Sequence, residues 1–504
     1  MKLGVKLFLA VFMTVMIFTA CTPGEADCDD IEFGRDDYDP DYVVAYFENE
    51  EGDEGERTPS PGLWDYTFIW PEGRDREWEE DIIYFAQTFL FVHPLMRNVQ
   101  IPVTDVQTIL HGAPLHAYTD NFHDAALRTQ FLGKIHELIA ILPELEDYEI
   151  IFSLAEIAAL LGDAHTGFRL DRSTFQAFAP HYYPFAFMHV RDGFFVNRVF
   201  AVSNRLAYYE HALDSRLVAI NGVEVSEIMR LLSRVIAHEN AYYIPVEVSL
   251  FDLMYYSELL IYLGISTGGE SEFMFESAEG YLFRITTSAV SSYGEMDFET
   301  ISSAIDREAL LKYSRPDWQW YEFLDEYNTL YVRLRNFFGP AGFPLSAEFY
   351  LSLAEKTRTI LDAGEIDKLV VDLRGNRGGF LEHFEVLFDL IYAERNCINA
   401  VYILVDNYTY SSGVIAAAIL REYIEGALLL GEPTGQPSNF FAAPSMHRLP
   451  HSNISFSVSR MFFRILPECS QNALYPDILI PLTFADLKNG HDPALEAVLS
   501  GIEG

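Results

Sequence analysis

The chain has 504 residues, of which 75 are acidic and 34 are basic, so its formal net charge is -41. This acidic balance argues against nucleic acid as a partner, because phosphate contacts need clustered lysine and arginine side chains. Half of the residues (50%) are hydrophobic, so a chain of this length can bury several cores, and we expect two or three domains.

The first residues have the layout of a signal peptide rather than of a folded element. Lys2 and Lys6 precede an apolar run at residues 7–20, and small side chains precede Cys21. A charged start, a short apolar core and small residues before the cleavage site are typical of secretory signals. The segment resembles the bacterial lipoprotein signal, which implies that residues 1–21 are a lipoprotein signal peptide and that Cys21 becomes lipidated. An ordinary secretory signal is the alternative, and it would export the chain as well.

Residues 22–62 are rich in Asp, Glu, Gly and Pro. Such a segment repels itself and buries little apolar surface, so we expect an acidic, disordered tether. An acylated cysteine before it would attach the protein to a membrane, on the extracytoplasmic face or in the periplasm. No later apolar run reaches the roughly 20 residues that a spanning helix needs.

The cysteines do not suggest a metal site or a disulfide scaffold. Cys28, Cys397 and Cys469 show no CxxC pair and no zinc-like spacing. A Cys397–Cys469 disulfide is one open pairing, but we do not expect the fold to depend on it.

Two regions with different periodicities follow the tether. Residues 63–180 predict a helical region, with amphipathic segments at residues 78–85, 131–142 and 154–161. Residues 181–290 predict a β-rich domain, with strands at residues 194–196 and 217–220 and a helix at residues 225–235. Between that second strand and the helix, Asn221-Gly222 is a strong hairpin signal.

Residues 291–504 alternate between buried-strand runs and helices, which indicates α/β layering around a largely parallel sheet. The predicted strands lie at residues 330–334, 368–373, 401–405, 428–430, 455–458 and 478–480. The predicted helices lie at residues 347–361, 381–392, 411–425 and 493–499.

Three places carry candidate chemistry, and two of them follow strands, where open α/β sheets bind their ligands. A glycine-rich turn at residues 372–379 could present backbone N–H groups to an oxyanion, although a tight turn is the simpler interpretation. Ser411 begins a helix, where a serine is most often a cap and otherwise a nucleophile. His165 follows an apolar helix, where a histidine is usually a surface or capping residue, and it can serve Ser411 only if the fold joins them.

In chain order these places resemble the S41 family of serine peptidases, the C-terminal-processing and tricorn-like group. The matching pieces are Gly162-Asp163-Ala164-His165-Thr166, Ile220-Asn221-Gly222, Asp372-Leu373-Arg374-Gly375-Asn376 with Gly378-Gly379, Thr409-Tyr410-Ser411-Ser412, Gly431-Glu432-Pro433-Thr434-Gly435 and Tyr475-Pro476-Asp477-Ile478. The resemblance implies an α/β fold with a ClpP/crotonase-like layered catalytic core, an N-terminal helical segment and a PDZ-like β-rich domain. It also implies that Ser411 is the nucleophile and that His165 is its general base.

The same resemblance implies the remaining roles. Processing peptidases of this group place a lysine shortly after the Gly-Glu-x-Thr turn, but residues 435–439 contain none, so the sequence looks like the tricorn-like branch that uses serine and histidine. In that branch a glutamate orients the histidine, and Glu468 is the candidate. The oxyanion donors would be the backbone N–H groups of Ser412 and of Gly378 or Gly379, and Ser412 is also the minor alternative for the nucleophile.

Two further departures from the family pattern favour a non-catalytic protein over an active peptidase. Asp214 stands where a glycine is usual before the PDZ-like strand, and Val414 stands where many members carry glutamate.

The sequence therefore predicts a secreted, membrane-anchored serine peptidase that cleaves unfolded or flexible polypeptides, without a metal or other cofactor. The alternative is a catalytically inactive peptide- or ligand-binding protein on the same scaffold. A metallohydrolase is disfavoured, because the chain has no HExxH. An α/β-hydrolase esterase is disfavoured as well, because the one Gly-x-Ser-x-Gly, at residues 264–268, lies in the predicted β-rich domain rather than between a strand and a helix of the predicted α/β region. The oligomeric state stays open.

Overall fold

The structure is a computed structural model that describes residues 73–111, 119–170, 172–175, 180–202, 206–291, 296–303, 310–313, 315, 317–338, 347–364 and 366–501. The predicted signal peptide, its Cys21 and the tether lie outside these residues. Within them, every helix is too short or too polar to cross a membrane. Residues 77–504 form one compact unit.

The α-helices of the described residues are α1 (Arg74–Val92), α2 (Val106–His111), α3 (Ala125–Ile141), α4 (Asp147–Ala159), α5 (Arg172–Phe175), α6 (Leu206–Tyr209), α7 (Val225–Leu232), α8 (Tyr243–Leu250), α9 (Ser257–Tyr262), α10 (Ala347–Leu361), α11 (Phe384–Glu394), α12 (Ser412–Tyr423), α13 (Phe484–Asn489) and α14 (Pro493–Ser500).

The strands are β1 (Ile101–Asp105), β2 (Thr119–Asp120), β3 (Gly167–Phe168), β4 (His181–Tyr182), β5 (Phe185–Val190), β6 (Gly193–Val202), β7 (Arg216–Ile220), β8 (Val223–Glu224), β9 (Glu270–Glu276), β10 (Leu282–Ser288), β11 (Val290–Ser291), β12 (Met296–Ser302), β13 (Gln319–Leu324), β14 (Thr329–Leu334), β15 (Ile366–Asp372), β16 (Ile398–Val405), β17 (Leu428–Gly431), β18 (Asn439–Ala442), β19 (Ser445–Arg448), β20 (Ser455–Val458), β21 (Met461–Arg464) and β22 (Ile478–Leu479).

The α/β region, from Gln319 onward, is built on a six-stranded sheet in the order β13-β14-β15-β16-β17-β22. All neighbours are parallel except β13, which runs antiparallel to β14 at one edge. Its strands are continuous apolar runs because helices cover both faces. Val371 packs in the core that contains α10, α11 and α12, whereas Val370 faces the core that contains α14. The predicted parallel α/β sheet is therefore confirmed.

The β-rich region is an antiparallel sheet in the order β10-β9-β7-β6-β12, with β5 paired to β6 and β8 paired to β7. Asn221 and Gly222 both have positive φ, 50° and 78°, and Ile220 pairs with Val223 across them. Such geometry belongs to a two-residue type I′ hairpin, which confirms the hairpin prediction. The following helix ends at Leu232, three residues earlier than predicted.

Asp214, the residue that replaces the usual glycine, has φ 65°. Glycine adopts that conformation most readily, and aspartate is among the few other residues that tolerate it. Here the aspartate is held by hydrogen bonds from Ser303 and from Lys488 Nζ, the latter at 2.7 Å.

The N-terminal region is helical as predicted, but short strands interrupt it and pair with the end of the chain. β1 pairs with β21 in parallel, and β3 pairs with β20. These pairings bring the segment after α4 next to the α/β region. Cys397 and Cys469 are both free, so the open disulfide pairing is not formed.

Candidate active site

Ser411 lies between β16 and α12, at the carboxyl end of the central sheet. It precedes the first helical residue, yet its side chain makes no capping hydrogen bond, so the capping interpretation does not hold. Its φ of 54° and ψ of -125° lie in a region that a non-glycine residue rarely adopts. Backbone strain of this kind persists only where neighbours impose it and is concentrated at functional sites.

Two hydrogen bonds impose this conformation. The N–H of Tyr410 donates to the carbonyl of Asn376 at 2.8 Å, and the N–H of Ser411 donates to Oε1 of Gln436 at 2.9 Å. Asn376 is fully buried and also donates to the carbonyl of Leu334 at 2.8 Å. The turns after the neighbouring strands β15 and β16 are thus joined beside the serine.

His165 lies opposite this hydroxyl, with Nε2 at 3.1 Å from Ser411 Oγ. The two residues are far apart in the sequence and are brought together by the pairing of β3 with β20. The backbone of His165 is fixed on both sides, because its N–H donates to Asp163 Oδ1 at 2.9 Å and its carbonyl accepts from Ser457 Oγ at 2.7 Å. Its ring also stacks on Phe440, with centroids 5.7 Å apart.

The other ring nitrogen, Nδ1, faces neutral groups. Tyr410 Oη lies 2.9 Å away and Gln436 Nε2 lies 3.3 Å away, whereas the Asp163 carboxylate is at 4.0 Å. If Nε2 is to accept the serine proton, Nδ1 must carry the other proton, and the tyrosine oxygen is then its acceptor.

The structure does not bring Glu468 to this site. Its side chain is exposed in the segment after β21, and the partners of both His165 ring nitrogens come from elsewhere. This corrects the expectation that Glu468 orients the histidine.

Burial lowers the pKa of His165 to about 4, with the charge of Arg377 acting in the same direction and Asp163 and a hydrogen bond to Phe441 acting against it. The imidazole is therefore neutral at pH 7 and able to accept a proton. Burial acts to raise the pKa of Asp163, but hydrogen bonds and charge from His93, with help from His165 and Thr166, hold it below its ordinary value. The site thus combines a neutral ring with a buried carboxylate.

His93 is a site residue that the sequence reasoning missed. Its Nε2 lies 3.0 Å from Asp163 Oδ2, and both side chains are fully buried. The Nδ1 atom accepts the N–H of Leu95 at 3.2 Å, so the proton sits on Nε2 and is donated to Asp163. A lone histidine before a proline carries no sequence signal of this role.

The predicted oxyanion donors lie beside the serine. A Cβ on Gly378, which has φ 95°, would lie 2.7 Å from Ser411 Cβ, so only glycine fits there. The N–H of Gly378 already donates to Asn376 Oδ1 at 2.8 Å. Within the described residues, the N–H groups of Gly379 and Ser412 have no protein acceptor, which leaves these two as the candidate donors.

Ser412 is engaged through its hydroxyl, which donates to the carbonyl of Gly379 at 2.6 Å. This contact ties the start of α12 to the glycine-rich turn and speaks against Ser412 as the nucleophile.

Asp372 and Arg374 of the glycine-rich turn are structural. Arg374 donates to Asp372 Oδ2 at 2.6 Å and to Asp492 Oδ1 at 2.6 Å, and Arg333 also lies against Asp372. Burial opposes ionisation of Asp372, but the charges of Arg374 and Arg333 hold its pKa far below the ordinary value. This buried network anchors the turn and leaves Arg374 unable to bind an anionic ligand.

A second residue that the sequence reasoning missed comes from the β-rich region. Glu239 Oε1 accepts a hydrogen bond from Gln436 Nε2 at 2.6 Å. Burial and the nearby Asp163 charge raise the pKa of Glu239 to about 8, against the hydrogen bond from Gln436. Asp163, His165 and Glu239 each offer one metal-ligand atom within 4.8 Å of the others, but the atoms of Asp163 and His165 are already hydrogen-bonded, so the group does not fit a metal without rearrangement.

Comparison with known proteins found no matching protein family and no matching curated protein. Among solved structures, mature CPAF complexed with lactacystin is 11% identical, covers 84% of this chain and 97% of its own, and gives a TM-score of 0.48. A Bacteroides fragilis protein provisionally assigned to the S41 proteases is 13% identical, covers 64% of this chain and 82% of its own, and gives a TM-score of 0.27. What these share with the chain is a mixed α/β architecture.

Proposed function

We propose that this protein is a serine-type peptidase in which Ser411 is the nucleophile and His165 is the general base. The observation that carries the proposal is the 3.1 Å separation of Ser411 Oγ and His165 Nε2. A serine in a strained conformation at a helix start, facing a neutral imidazole, is the arrangement that nucleophilic acyl transfer requires.

The steps follow from these positions. His165 Nε2 takes the Ser411 proton as Oγ forms a bond to the carbonyl carbon of the substrate, and the carbonyl π electrons move onto the oxygen. The N–H groups of Ser412 and Gly379 are the donors for this oxyanion, and one such donor is typically worth about 3 kcal/mol. The imidazolium then gives its proton to the leaving amine, and water hydrolyses the acyl-enzyme by the same route in reverse order.

The Ser/His pairing is preferred over Ser/Lys because of Gln436. This residue follows the Gly-Glu-x-Thr turn, where processing peptidases carry their lysine, and it lies against the N–H of Ser411 and the ring of His165. It cannot act as a base. The substrate class, unfolded or flexible polypeptide, is the one that the S41 resemblance implies.

Export and membrane attachment through Cys21 belong to the same proposal. We expect the natural chain to partition with membranes and the Cys21→Ser variant to be released into the soluble fraction after export. Retention of the variant on membranes would contradict lipid anchoring.

A non-catalytic binding protein is the second candidate, and one observation favours it. Among the described residues, no carboxylate lies within hydrogen-bond distance of His165 Nδ1, and the nearest, Asp163, is at 4.0 Å. Serine hydrolases usually orient the histidine with a carboxylate.

Covalent labelling separates the two candidates. The purified protein is treated with a fluorophosphonate, and the adduct is mapped by mass spectrometry beside Ser411→Ala and His165→Ala. The peptidase proposal expects an adduct on Ser411 that both variants lose. Folded protein without an adduct would favour the binding protein, and cleavage of unfolded casein by the natural chain alone would extend the result from an activated serine to a peptidase.

A further inference from the structure

Gln436 occupies the centre of the active site in one fixed orientation. Its amide oxygen accepts the N–H of Ser411 at 2.9 Å, and its amide nitrogen donates to Glu239 Oε1 at 2.6 Å and lies 3.3 Å from His165 Nδ1. The side chain is fully buried. If the amide were rotated by 180°, its nitrogen would meet the serine N–H and its oxygen would meet the glutamate, so both good contacts would be lost.

Glu239 and the Ser411 N–H are therefore the two groups that hold Gln436 in this orientation. Glu239 belongs to the segment after α7 in the β-rich region, not to the α/β region. Its second oxygen, Oε2, is buried and has no hydrogen-bond partner among the described residues.

The position of Glu239 is set independently by its neighbour. Asn240 donates to the carbonyls of Thr434 and Asn472 at 3.2 Å and 2.7 Å, and its own Oδ1 accepts the N–H of Tyr243 at 3.1 Å. Tyr243 in turn stacks on Tyr410, with ring centroids 4.9 Å apart. The segment thus docks on the loop that carries Gln436 whether or not the Glu239 side chain is present.

We propose, on the basis of the peptidase function above, that Glu239 is a positioning residue of the active site that acts through Gln436. Its carboxyl group holds the amide so that Gln436 keeps Ser411 in its strained conformation and lies against the histidine. Glu239 thereby links the β-rich region to the conformation of Ser411. The raised pKa of Glu239 is consistent with a carboxyl group that is largely neutral at pH 7 and serves as a hydrogen-bond partner rather than as a charge.

The test compares Glu239→Ala with Glu239→Gln. A glutamine at this position keeps an oxygen for the Gln436 amide, whereas alanine removes it. We expect Glu239→Ala to lower kcat and the rate of fluorophosphonate labelling at Ser411 about tenfold with KM little changed, and Glu239→Gln to restore most of the rate. Glu258→Ala is the matched control, because Glu258 is a buried carboxylate that bonds to His181 in the same region and should leave the rate unchanged.

A double-variant cycle shows the route. If Glu239 acts through Gln436, its alanine change has no further effect on the labelling rate in a Gln436→Ala background. The inference would be overturned if the natural chain and Glu239→Ala were labelled at equal rates. It would also be overturned if the two losses in labelling rate multiplied in the double variant.

A crystal structure of Glu239→Ala gives a readout that does not need activity. We expect the Gln436 amide to have left the N–H of Ser411, and an unmoved amide would overturn the positioning role. Absence of labelling in the natural chain would instead count against the peptidase function, so the two failures are distinguishable.

Discussion

The low pKa of His165 predicts an activity that persists in mild acid. Burial lowers this pKa to about 4, from an ordinary value of 6.5. Because only the neutral ring accepts the serine proton, the rate of acylation should follow the fraction of neutral His165 in the free enzyme. The test therefore varies only the pH, from neutrality to about pH 4, and uses the natural chain without a substitution.

The size of the effect follows from the two pKa values. At about pH 5.5, a histidine with a pKa near 4 is about 97% neutral, whereas one with the ordinary pKa is about 9% neutral. The acylation rate at about pH 5.5 should therefore remain close to its neutral value, about tenfold above that of an unperturbed histidine.

The same shift affects stability with a defined sign. The unfolded chain binds the His165 proton near pH 6.5 and the folded chain only near pH 4, so stability is complete above about pH 6.5 and falls as the pH drops toward 4. Over that range, the pKa difference of His165 between the folded and unfolded chain lowers the free energy of unfolding by about 3 kcal/mol. Activity and folding must therefore be measured in the same samples.

The assay is the rate of fluorophosphonate labelling at Ser411 from about pH 4 to pH 8, corrected for the folded fraction by near-UV circular dichroism. Probe hydrolysis is measured in parallel with Ser411→Ala. A folded protein whose labelling rate is half-maximal near pH 6.5 would refute the reasoning, because His165 would then titrate as though exposed.

Three further changes test other parts of the site. Gly378→Ala should abolish labelling of the nucleophile, because its Cβ would lie 2.7 Å from the Ser411 Cβ, whereas Gly364→Ala, with no atom within 4 Å, should label normally. Tyr410→Phe removes the hydroxyl 2.9 Å from Nδ1 of the base and should lower kcat about tenfold with KM unchanged; an unchanged kcat would remove the tyrosine from the site. Asp492→Ala leaves the buried Arg374 without one partner and should lower the free energy of unfolding, measured in urea, by about 3–5 kcal/mol. A decrease below about 1 kcal/mol would contradict the anchoring role of Arg374.

Much of the fold could be predicted because its signals are local. The strand runs of the central sheet are continuous and apolar, and the predicted helix at residues 347–361 coincides with α10. Asn221-Gly222 strongly favours one turn geometry, so the dipeptide alone predicted the hairpin. The short strands β1 and β3 could not be predicted, because each pairs with a strand distant in sequence and shows no clear pattern of its own.

The site residues also divide into those that a sequence motif reveals and those that only the structure reveals. Ser411 and His165 lie in motifs, and the structure places them 3.1 Å apart. His93 and Glu239 lie in no motif, because each acts through one hydrogen bond to a residue elsewhere in the chain. Glu468 was expected from its place near a late motif, but position along the chain does not determine which side chains point at the ring.

The surroundings of His165 suggest how such a weak base can suffice. The Asp163 carboxylate lies 4.0 Å from Nδ1 and is bonded to His93 and Thr166, so it fixes the loop more than it raises the basicity of the ring. A base of low pKa gains little from taking a serine proton. Stabilisation of the negative charge must then come from the serine's own side, where the start of α12 supplies the N–H of Ser412 and the positive end of the helix dipole. In the proposed mechanism, catalysis therefore depends more on the backbone around Ser411 than on the basicity of His165.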